Sequence, residues 1–269
     1  MATKPLILMI NLKKRKDRLE RMRGRLKNLE YTVVEAVSGD NLEDHIREKR
    51  SILTNNEKGC IASHIKALEI FLQSDRDSCC ILEDDVVLGR EFYSLVESYL
   101  SFPEDAYVLK LETMCRKVWI GRSPRLISNF CFKRLFTCHF GTAGYMTSRS
   151  GAKLIIKALS EFDQPADDII FLKMLANKNN GKCFQMDPAC CIQEFLVDHN
   201  NVSDIYDDRK NRHKRIITYT KNNQIYEKEK TYMRKFYREI KRLVRQLLFV
   251  SYRISKIRYR SYYAIDFKK

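Results

Sequence analysis

The run Ile81-Leu82-Glu83-Asp84-Asp85-Val86-Val87 closes an apolar stretch that begins at Ser78. Residues 78–82 are short, apolar and sharply bounded, which predicts a strand buried on both faces. Three consecutive carboxylates then stop it. Ionised and poorly solvated, they repel one another. A hard divalent cation such as Mn²⁺ or Mg²⁺ removes that cost, taking carboxylate oxygens and leaving positions for phosphate oxygens. In open α/β sheets, ligands bind beyond the carboxyl ends of the strands. Residue type and position thus agree on a metal–diphosphate site. The same residues also suit an exposed acidic turn ahead of a helix.

Working outward, Leu6-Ile7-Leu8-Met9-Ile10-Asn11-Leu12 reads as another buried strand. Residues 16–29 follow with Leu19, Met22, Leu26 and Leu29 at helical spacing. Residues 32–37 are β-branched and predict a strand, and Ser38-Gly39-Asp40-Asn41 is turn chemistry. Thr54-Asn55-Asn56-Glu57 has the spacing of a capping box, opening a helix through Ile61, Ile65, Leu68 and Leu72. Beyond the acidic run, residues 90–100 predict a helix and 107–111 a strand. Residues 118–136 read as irregular strands and loops. Residues 141–146 carry a strand toward a helix over 148–159, and a further helix is expected over 167–176, with Asp167 and Asp168 in its first turn, where the helix dipole favours negative charge. Strands alternating with helices predict an α/β fold with a mostly parallel central sheet and flanking helices.

A hydrophobic fraction of 44% over 269 residues supplies a real core and excludes a disordered chain. No window has the apolar length of a membrane-spanning helix. The run from Leu6 to Leu12 is shorter than a signal peptide's apolar region, so a cytoplasmic location is expected. Nine cysteines, with Cys79-Cys80 and Cys190-Cys191 as adjacent doublets and no C-x-x-C pair, predict free, mostly buried thiols.

The net charge is +16, and residues 205–269 carry +14 of it, with 20 Lys+Arg against 6 Asp+Glu. A nearly neutral domain over residues 1–205 therefore precedes a basic, partly helical extension over 206–269. In that extension Met233, Phe236, Tyr237, Ile240, Val244, Leu247 and Leu248 recur at helical spacing opposite Arg and Lys, with Tyr252, Tyr259, Tyr262 and Tyr263 beyond them. Such a helix suits an anionic membrane surface. Packing on the domain over residues 1–205 is the other use of the same face. No nucleic-acid-binding module accompanies the charge, and a nucleic-acid partner is not expected.

Several separated blocks together resemble glycosyltransferase family 25. They are Asn11-Leu12, Arg15, Asp17-Arg18 and Met22; Ala36-Val37-Ser38-Gly39; Leu53-Thr54; Gly59-Cys60; Ser63-His64-Ile65-Lys66-Ala67; Leu82-Glu83-Asp84-Asp85-Val86; Gly141-Thr142-Ala143-Gly144-Tyr145; Ser150-Gly151-Ala152; and Asp167-Asp168. Order and spacing fit over about residues 5 to 205. The resemblance implies a nucleotide-sugar-binding, Rossmann-like fold of the glycosyltransferase A type. It also implies transfer of galactose from UDP-galactose, or of glucose from UDP-glucose, to a lipid-linked lipooligosaccharide or lipopolysaccharide acceptor at the cytoplasmic face of the inner membrane.

The acidic run is Glu83-Asp84-Asp85, not a strict Asp-x-Asp. By the resemblance, Asp85 is the first choice for bridging metal to diphosphate. Glu83 or Asp84 then contacts a metal-bound water or the ribose, and Asn11, Arg18 and His64 are expected at the donor. His199 corresponds to a third metal ligand in related folds. Inverting transfer needs a base for the acceptor hydroxyl, and Asp168 is preferred over Asp167 for it. Helix capping by either residue is the structural alternative. Two other classes compete. A two-metal phosphohydrolase wants more His and Asp ligands than these five scattered histidines provide. A catalytically silent nucleotide-sugar-binding protein would keep the fold without turnover. Oligomeric state is not legible.

Overall fold

The computed structural model describes residues 3–49, 51, 53–98, 102–127, 129–174, 181–198 and 260–269. His199 and the expected amphipathic helix over 233–248 lie outside the described residues.

Twelve strands are described in chain order: β1 (Leu6–Asn11), β2 (Thr32–Glu35), β3 (Ser78–Glu83), β4 (Val86–Leu88), β5 (Ala106–Lys110), β6 (Glu112–Thr113), β7 (Lys117–Ile127), β8 (Phe130–Leu135), β9 (Gly144–Ser148), β10 (Lys182–Met186), β11 (Cys191–Gln193) and β12 (Arg260–Ala264). Nine of them form one sheet in the order β12-β7-β8-β10-β5-β9-β3-β1-β2. The α-helices are α1 (Lys16–Leu26), α2 (Asp44–Arg47), α3 (Asn55–Gln73), α4 (Arg90–Glu97), α5 (Arg149–Leu159), α6 (Ala166–Asp168) and α7 (Glu194–Val197).

The apolar runs of β1 and β3 are continuous because both faces of the sheet are covered. Leu8, Ile10, Cys79 and Ile81 point to one side, where Ile61, Leu68 and Phe71 of α3 and Ile155 and Leu159 of α5 pack. Ile7, Met9, Cys80 and Leu82 point to the other, against Met22 and Leu26 of α1 and Phe92, Leu95 and Val96 of α4. A period of two in the strands and of three to four in the helices makes this a helix–sheet–helix sandwich.

The expectation of a mostly parallel sheet holds for its N-terminal part. β2 and β3 flank β1 in parallel, and β10 is parallel to β5. The pairings β3–β9, β9–β5, β10–β8, β8–β7 and β7–β12 are antiparallel, so the sheet is mixed. Residues 118–136, expected as irregular strands and loops, form the hairpin of β7 and β8. Antiparallel neighbours need only a short connection, whereas a parallel pair needs a crossover. The helix expected over 167–176 is one α turn that passes into a π-helical turn at Ile169–Lys173.

Helix α3 begins as its capping box predicts. Glu57 N–H donates to Thr54 Oγ1 at 3.2 Å, and Thr54 N–H donates to Glu57 Oε2 at 2.9 Å. Close approach explains Gly59, where a Cβ would lie 2.5 Å from Val37 O. One turn on, Ser63 Oγ donates to Gly59 O at 2.7 Å and accepts Val37 N–H at 2.8 Å. This join fixes the turn after β2 against α3 and sets one wall of the cleft described below.

The last ten residues depart from the expected basic extension: they complete the sheet. β12 pairs antiparallel with β7, from Arg260↔Gly121 to Ala264↔Lys117. Ile265 is fully buried, and its carbonyl accepts Thr113 Oγ1 at 2.6 Å. Tyr263, read from sequence as an interfacial aromatic, instead donates its hydroxyl to Asp187 and accepts Lys133 Nζ at 2.8 Å. Ile265→Ala should therefore lower the stability of the whole domain by about 3 kcal/mol in urea unfolding, as for other large-to-small core substitutions. A cost below about 0.5 kcal/mol would mean that this segment is not part of the cooperative core.

Candidate active site

The three carboxylates at the end of β3 diverge, and each meets a different element. Asp84 turns toward β1 and α1. Its Oδ2 accepts Asn11 Nδ2 at 2.8 Å and Leu12 N–H at 3.4 Å, and its Oδ1 accepts Arg18 at 3.0 Å. Arg18 is not on a solvated helix face: with Met22 and Leu26 it forms the buried stripe of α1. Glu83 turns toward α3 and the loop before β9. Its Oε1 accepts Thr142 Oγ1 at 2.5 Å and lies 3.2 Å from His64 Nε2. His64 is buried, and its Nδ1 lies 3.1 Å from the Tyr145 hydroxyl. With Glu83 ionised, His64 is the Nε2–H tautomer and Tyr145 donates to Nδ1.

Asp85 is buried as well. Its Oδ2 lies 3.8 Å from Arg18, and its Oδ1 has no hydrogen-bond partner among the described residues. Burial, reinforced by the neighbouring Glu83 and Asp84, pushes its pKa well above the carboxylate range against the pull of Arg18. Burial also raises Asp84, opposed by Arg18 and Asn11. An orphaned, buried carboxylate oxygen is costly, and among oxygen ligands it is what a hard divalent cation takes. When ionised, Glu83, Asp84 and Asp85 with Arg18 sum to −2, which one such cation cancels. These residues therefore fit a divalent metal.

The carboxylates face a cleft of about 280 Å³, lined also by Ile10, Lys14, Val37, Ser38, Gly39 and Ser63. Asn11, Arg18, His64, Glu83, Asp84 and Asp85, selected from sequence, thus meet at or beside one cleft between the ends of β1 and β3 and the start of α3. A ligand atom of Cys60 lies within 4.8 Å of those of His64 and Glu83. That softer set suits Zn²⁺ better than Mg²⁺ or Mn²⁺.

Asp167 and Asp168 lie on the other side of residues 141–143. Asp167 is buried, and its Oδ2 accepts Gly141 N–H at 3.1 Å and its Oδ1 Asp168 N–H at 3.1 Å. Both of its oxygens are thus occupied by backbone. Asp168 is half-buried, with Cys138 Sγ 3.8 Å from its Oδ1.

Residues 4–170 match the model of glycosyltransferase family 25 (LPS biosynthesis protein). This chain belongs to that family. Among family relatives, it is 30% identical over 172 residues to the lipooligosaccharide biosynthesis protein lex-1 of Haemophilus influenzae, covering 58% of this chain and 55% of that one. It is 30% identical over 188 residues to the lacto-N-neotetraose biosynthesis glycosyltransferase LgtE of Neisseria meningitidis serogroup B, covering 63% and 66%. Human procollagen galactosyltransferase 2 is 28% identical over 193 residues, covering 64% of this chain and 30% of that one. The chain spans between about half and two thirds of the length of these bacterial relatives.

Sequence reasoning missed Glu112. It follows the buried run Ala106 to Leu111 as Glu83 follows the buried run Ser78 to Leu82, and an acidic residue ending an apolar run was the available signal. Glu112 is fully buried. Its Oε2 accepts Lys110 Nζ at 3.2 Å and Ala143 N–H at 3.0 Å, while Oε1 has no hydrogen-bond partner among the described residues. Lys110 Nζ also donates to Gly141 O at 2.5 Å. Gly141 has φ +85°, and a Cβ there would lie 2.3 Å from Glu112 Oε1, so only glycine fits.

Burial pushes the pKa of Glu112 up to about 6, against Lys110. The folded chain holds this proton more tightly than the unfolded chain. The resulting stabilisation is full below about pH 4.5 and is lost as the pH rises through about 6. The shift corresponds to about 2 kcal/mol. Between pH 4.5 and 7, the metal-free wild type should lose about that much stability relative to Glu112→Gln in urea unfolding. Parallel pH profiles for the two proteins would show that Glu112 titrates alike folded and unfolded.

Proposed function

We propose that this chain is a metal-dependent, inverting hexosyltransferase that moves galactose from UDP-galactose to a lipooligosaccharide or lipopolysaccharide acceptor. The observation that carries the reading is the buried Oδ1 of Asp85, unpartnered among the described residues, at a side chain beside Arg18 that lines the cleft. Family membership and the lipooligosaccharide and galactosyltransferase names of the relatives support the sugar chemistry.

In this reading the diphosphate end of the donor lies at the end of β3, and the nucleoside occupies the cleft toward Val37, Ser38 and Gly39. Asp85, with Glu83, would hold Mn²⁺ or Mg²⁺, which would supply positive charge for a diphosphate leaving group. Arg18 and Asn11 hold Asp84 in place and keep the acidic run from repelling itself. His64 and Thr142 aim Glu83. Lys14, exposed at the cleft mouth, adds a cation for phosphate.

Asp168 removes the proton from the acceptor hydroxyl as that oxygen bonds to the anomeric carbon and UDP departs with the electrons of the broken bond. Asp167, whose oxygens both accept backbone N–H, acts as the support that fixes Gly141. The charge of residues 206–259 suits the anionic face of a membrane, where a lipid-linked acceptor would be met.

Calorimetric titration with UDP, UDP-galactose and UDP-glucose, each with and without Mn²⁺, tests the donor site. UDP binding should need the metal, one sugar nucleotide should be preferred, and Asp85→Asn should remove the metal requirement together with most of the affinity. Metal-independent binding unchanged in Asp85→Asn would sink the metal assignment. Asp168→Asn should keep UDP affinity within about twofold and lower kcat by about 10²-fold or more, the scale of a lost general base. A fully active Asp168→Asn variant would return the base role to Asp167.

A further inference from the structure

The sheet's far edge carries a surface that the donor cleft does not use. Register places Tyr262 of β12 opposite Trp119 of β7. On the other side of β7, Phe136 N–H donates to Trp119 O at 2.9 Å. Tyr262, Trp119 and Phe136 therefore form one cross-strand row. The neighbouring row on the same face is Arg260, Gly121 and Arg134: Arg260 pairs with Gly121, and Arg134 Cβ lies 3.6 Å from where a Gly121 Cβ would stand. The opposite face of this hairpin, with Val118, Ile120 and Leu135, is buried in the core.

The row is ordered by ring contacts. Trp119 and Tyr262 have centroids 5.1 Å apart at 32°. Two guanidinium groups lie against the same Phe136 ring, Arg260 at 3.5 Å and Arg134 at 4.9 Å from its centroid. Stacking orients a guanidinium while leaving its edge donors for a bidentate anion. Among the described residues neither arginine has a carboxylate partner, nor do the exposed Arg116 and Lys117 nearby. Tyr262 is 54% exposed, and Trp119 and Phe136 are half-buried. Unpaired positive charge around a half-buried aromatic platform is complementary to a ligand with an apolar flat face and an anionic group.

We propose that the Tyr262–Trp119–Phe136 platform, with Arg134 and Arg260, binds an anionic saccharide: a sugar face stacks on the rings while its phosphate or carboxylate meets the two arginines. The proposal rests on the transferase reading above and gives it an acceptor surface. Its place relative to the chemistry supports this. Two residues beyond Phe136, Cys138 Sγ lies 3.8 Å from Asp168 Oδ1, so the segment that carries Phe136 continues to the residue assigned as base. A membrane-binding surface inserts protruding apolar side chains into the interface, whereas Trp119 and Phe136 are half-buried in a row along the sheet.

Trp119 is the single tryptophan of the chain, so its fluorescence reports this surface alone. The full chain is titrated with deacylated lipooligosaccharide bearing its phosphates, with the same saccharide after dephosphorylation, and with phosphatidylglycerol vesicles. UDP with Mn²⁺ is titrated calorimetrically on the same samples. The phosphorylated saccharide should give a saturable change. Affinity should fall about tenfold or more after dephosphorylation and in Arg134→Gln/Arg260→Gln, as expected for lost charge-assisted hydrogen bonds, with UDP affinity unchanged in that variant. Equal affinity for the dephosphorylated saccharide, an unaffected arginine variant, or an equal response to vesicles alone overturns the proposal, the last by making the face a membrane contact. If UDP binds and Trp119 stays silent, the acceptor surface falls and the donor reading stands. If Trp119 responds and UDP does not bind, the reverse holds.

Discussion

The pair of Arg18 and Asp84, 3.0 Å apart with both side chains about nine-tenths buried, is the constraint on which the site depends. Removing two ions from water costs several kcal/mol each, and their attraction repays it only with good geometry and further hydrogen bonds. Here Asn11 Nδ2 and Leu12 N–H supply them. The pair ties α1 to the ends of β1 and β3, where the parallel part of the sheet opens. It also takes one of the three adjacent carboxylates out of competition. The other two are Glu83, held by His64 and Thr142, and Asp85, 3.8 Å from Arg18 and with one oxygen unpartnered among the described residues. A stretch that would repel itself becomes a site with one fixed pair and two carboxylates available to a cation.

Residues 141–143 join this network to a second one. Each of the three is tied to a different carboxylate: Gly141 N–H to Asp167, Thr142 Oγ1 to Glu83, and Ala143 N–H to Glu112. Lys110 adds a bond to Gly141 O and pairs with Glu112. A displacement of this short loop would therefore disturb the acidic groups on both sides of it. The positive φ of Gly141 and the absence of room for a Cβ follow from that density of contacts. So does the burial of Asp167, which leaves the half-buried Asp168 as the more accessible carboxylate of the pair.

Much of the N-terminal half was legible because its signals are local. β1 and β3 are unbroken apolar runs, and Thr54 and Glu57 specify the start of α3 within four residues. The cluster at Glu83 announces itself by adjacency. Arg18 was legible as a candidate but not as a buried group, since the helical pattern of α1 drew attention to Leu19. Lys117 to Leu135 was not legible as a hairpin. Ser123, Pro124 and the charged residues around them read as loop, and the register shift between Ile120 and Pro124 breaks the alternation. Among the described residues β12 pairs with residues 117–121, and Pro124, which has no N–H to donate, lies beyond that stretch. Glu112 and β12 were hidden for one shared reason. Their meaning comes from long-range pairing, with Ala143 for Glu112 and with Gly121 to Lys117 for β12, and no window of sequence contains both partners.

The strand order separates two kinds of surface. Parallel pairing of β2, β1 and β3 directs three strand ends and the following turns to one place, which produces a cleft lined by loops and the first turns of a helix. The antiparallel hairpin at the other end, closed by β12, cannot make such a cleft. It presents instead a flat face whose character is set by alternation: Val118, Ile120 and Leu135 inward, aromatic and basic side chains outward. A two-stranded edge of this length, left open, would expose backbone donors and acceptors to pairing with other chains. β12 covers part of that edge and completes the aromatic row with Tyr262. The loop before β9, tied on one side to Glu83 and on the other to Asp167, lies between the two surfaces. One fold thus supplies a loop-lined cleft in the parallel part of the sheet and a flat aromatic face at its antiparallel edge, with three carboxylates tied to residues 141–143 ahead of β9, which lies between them in the strand order.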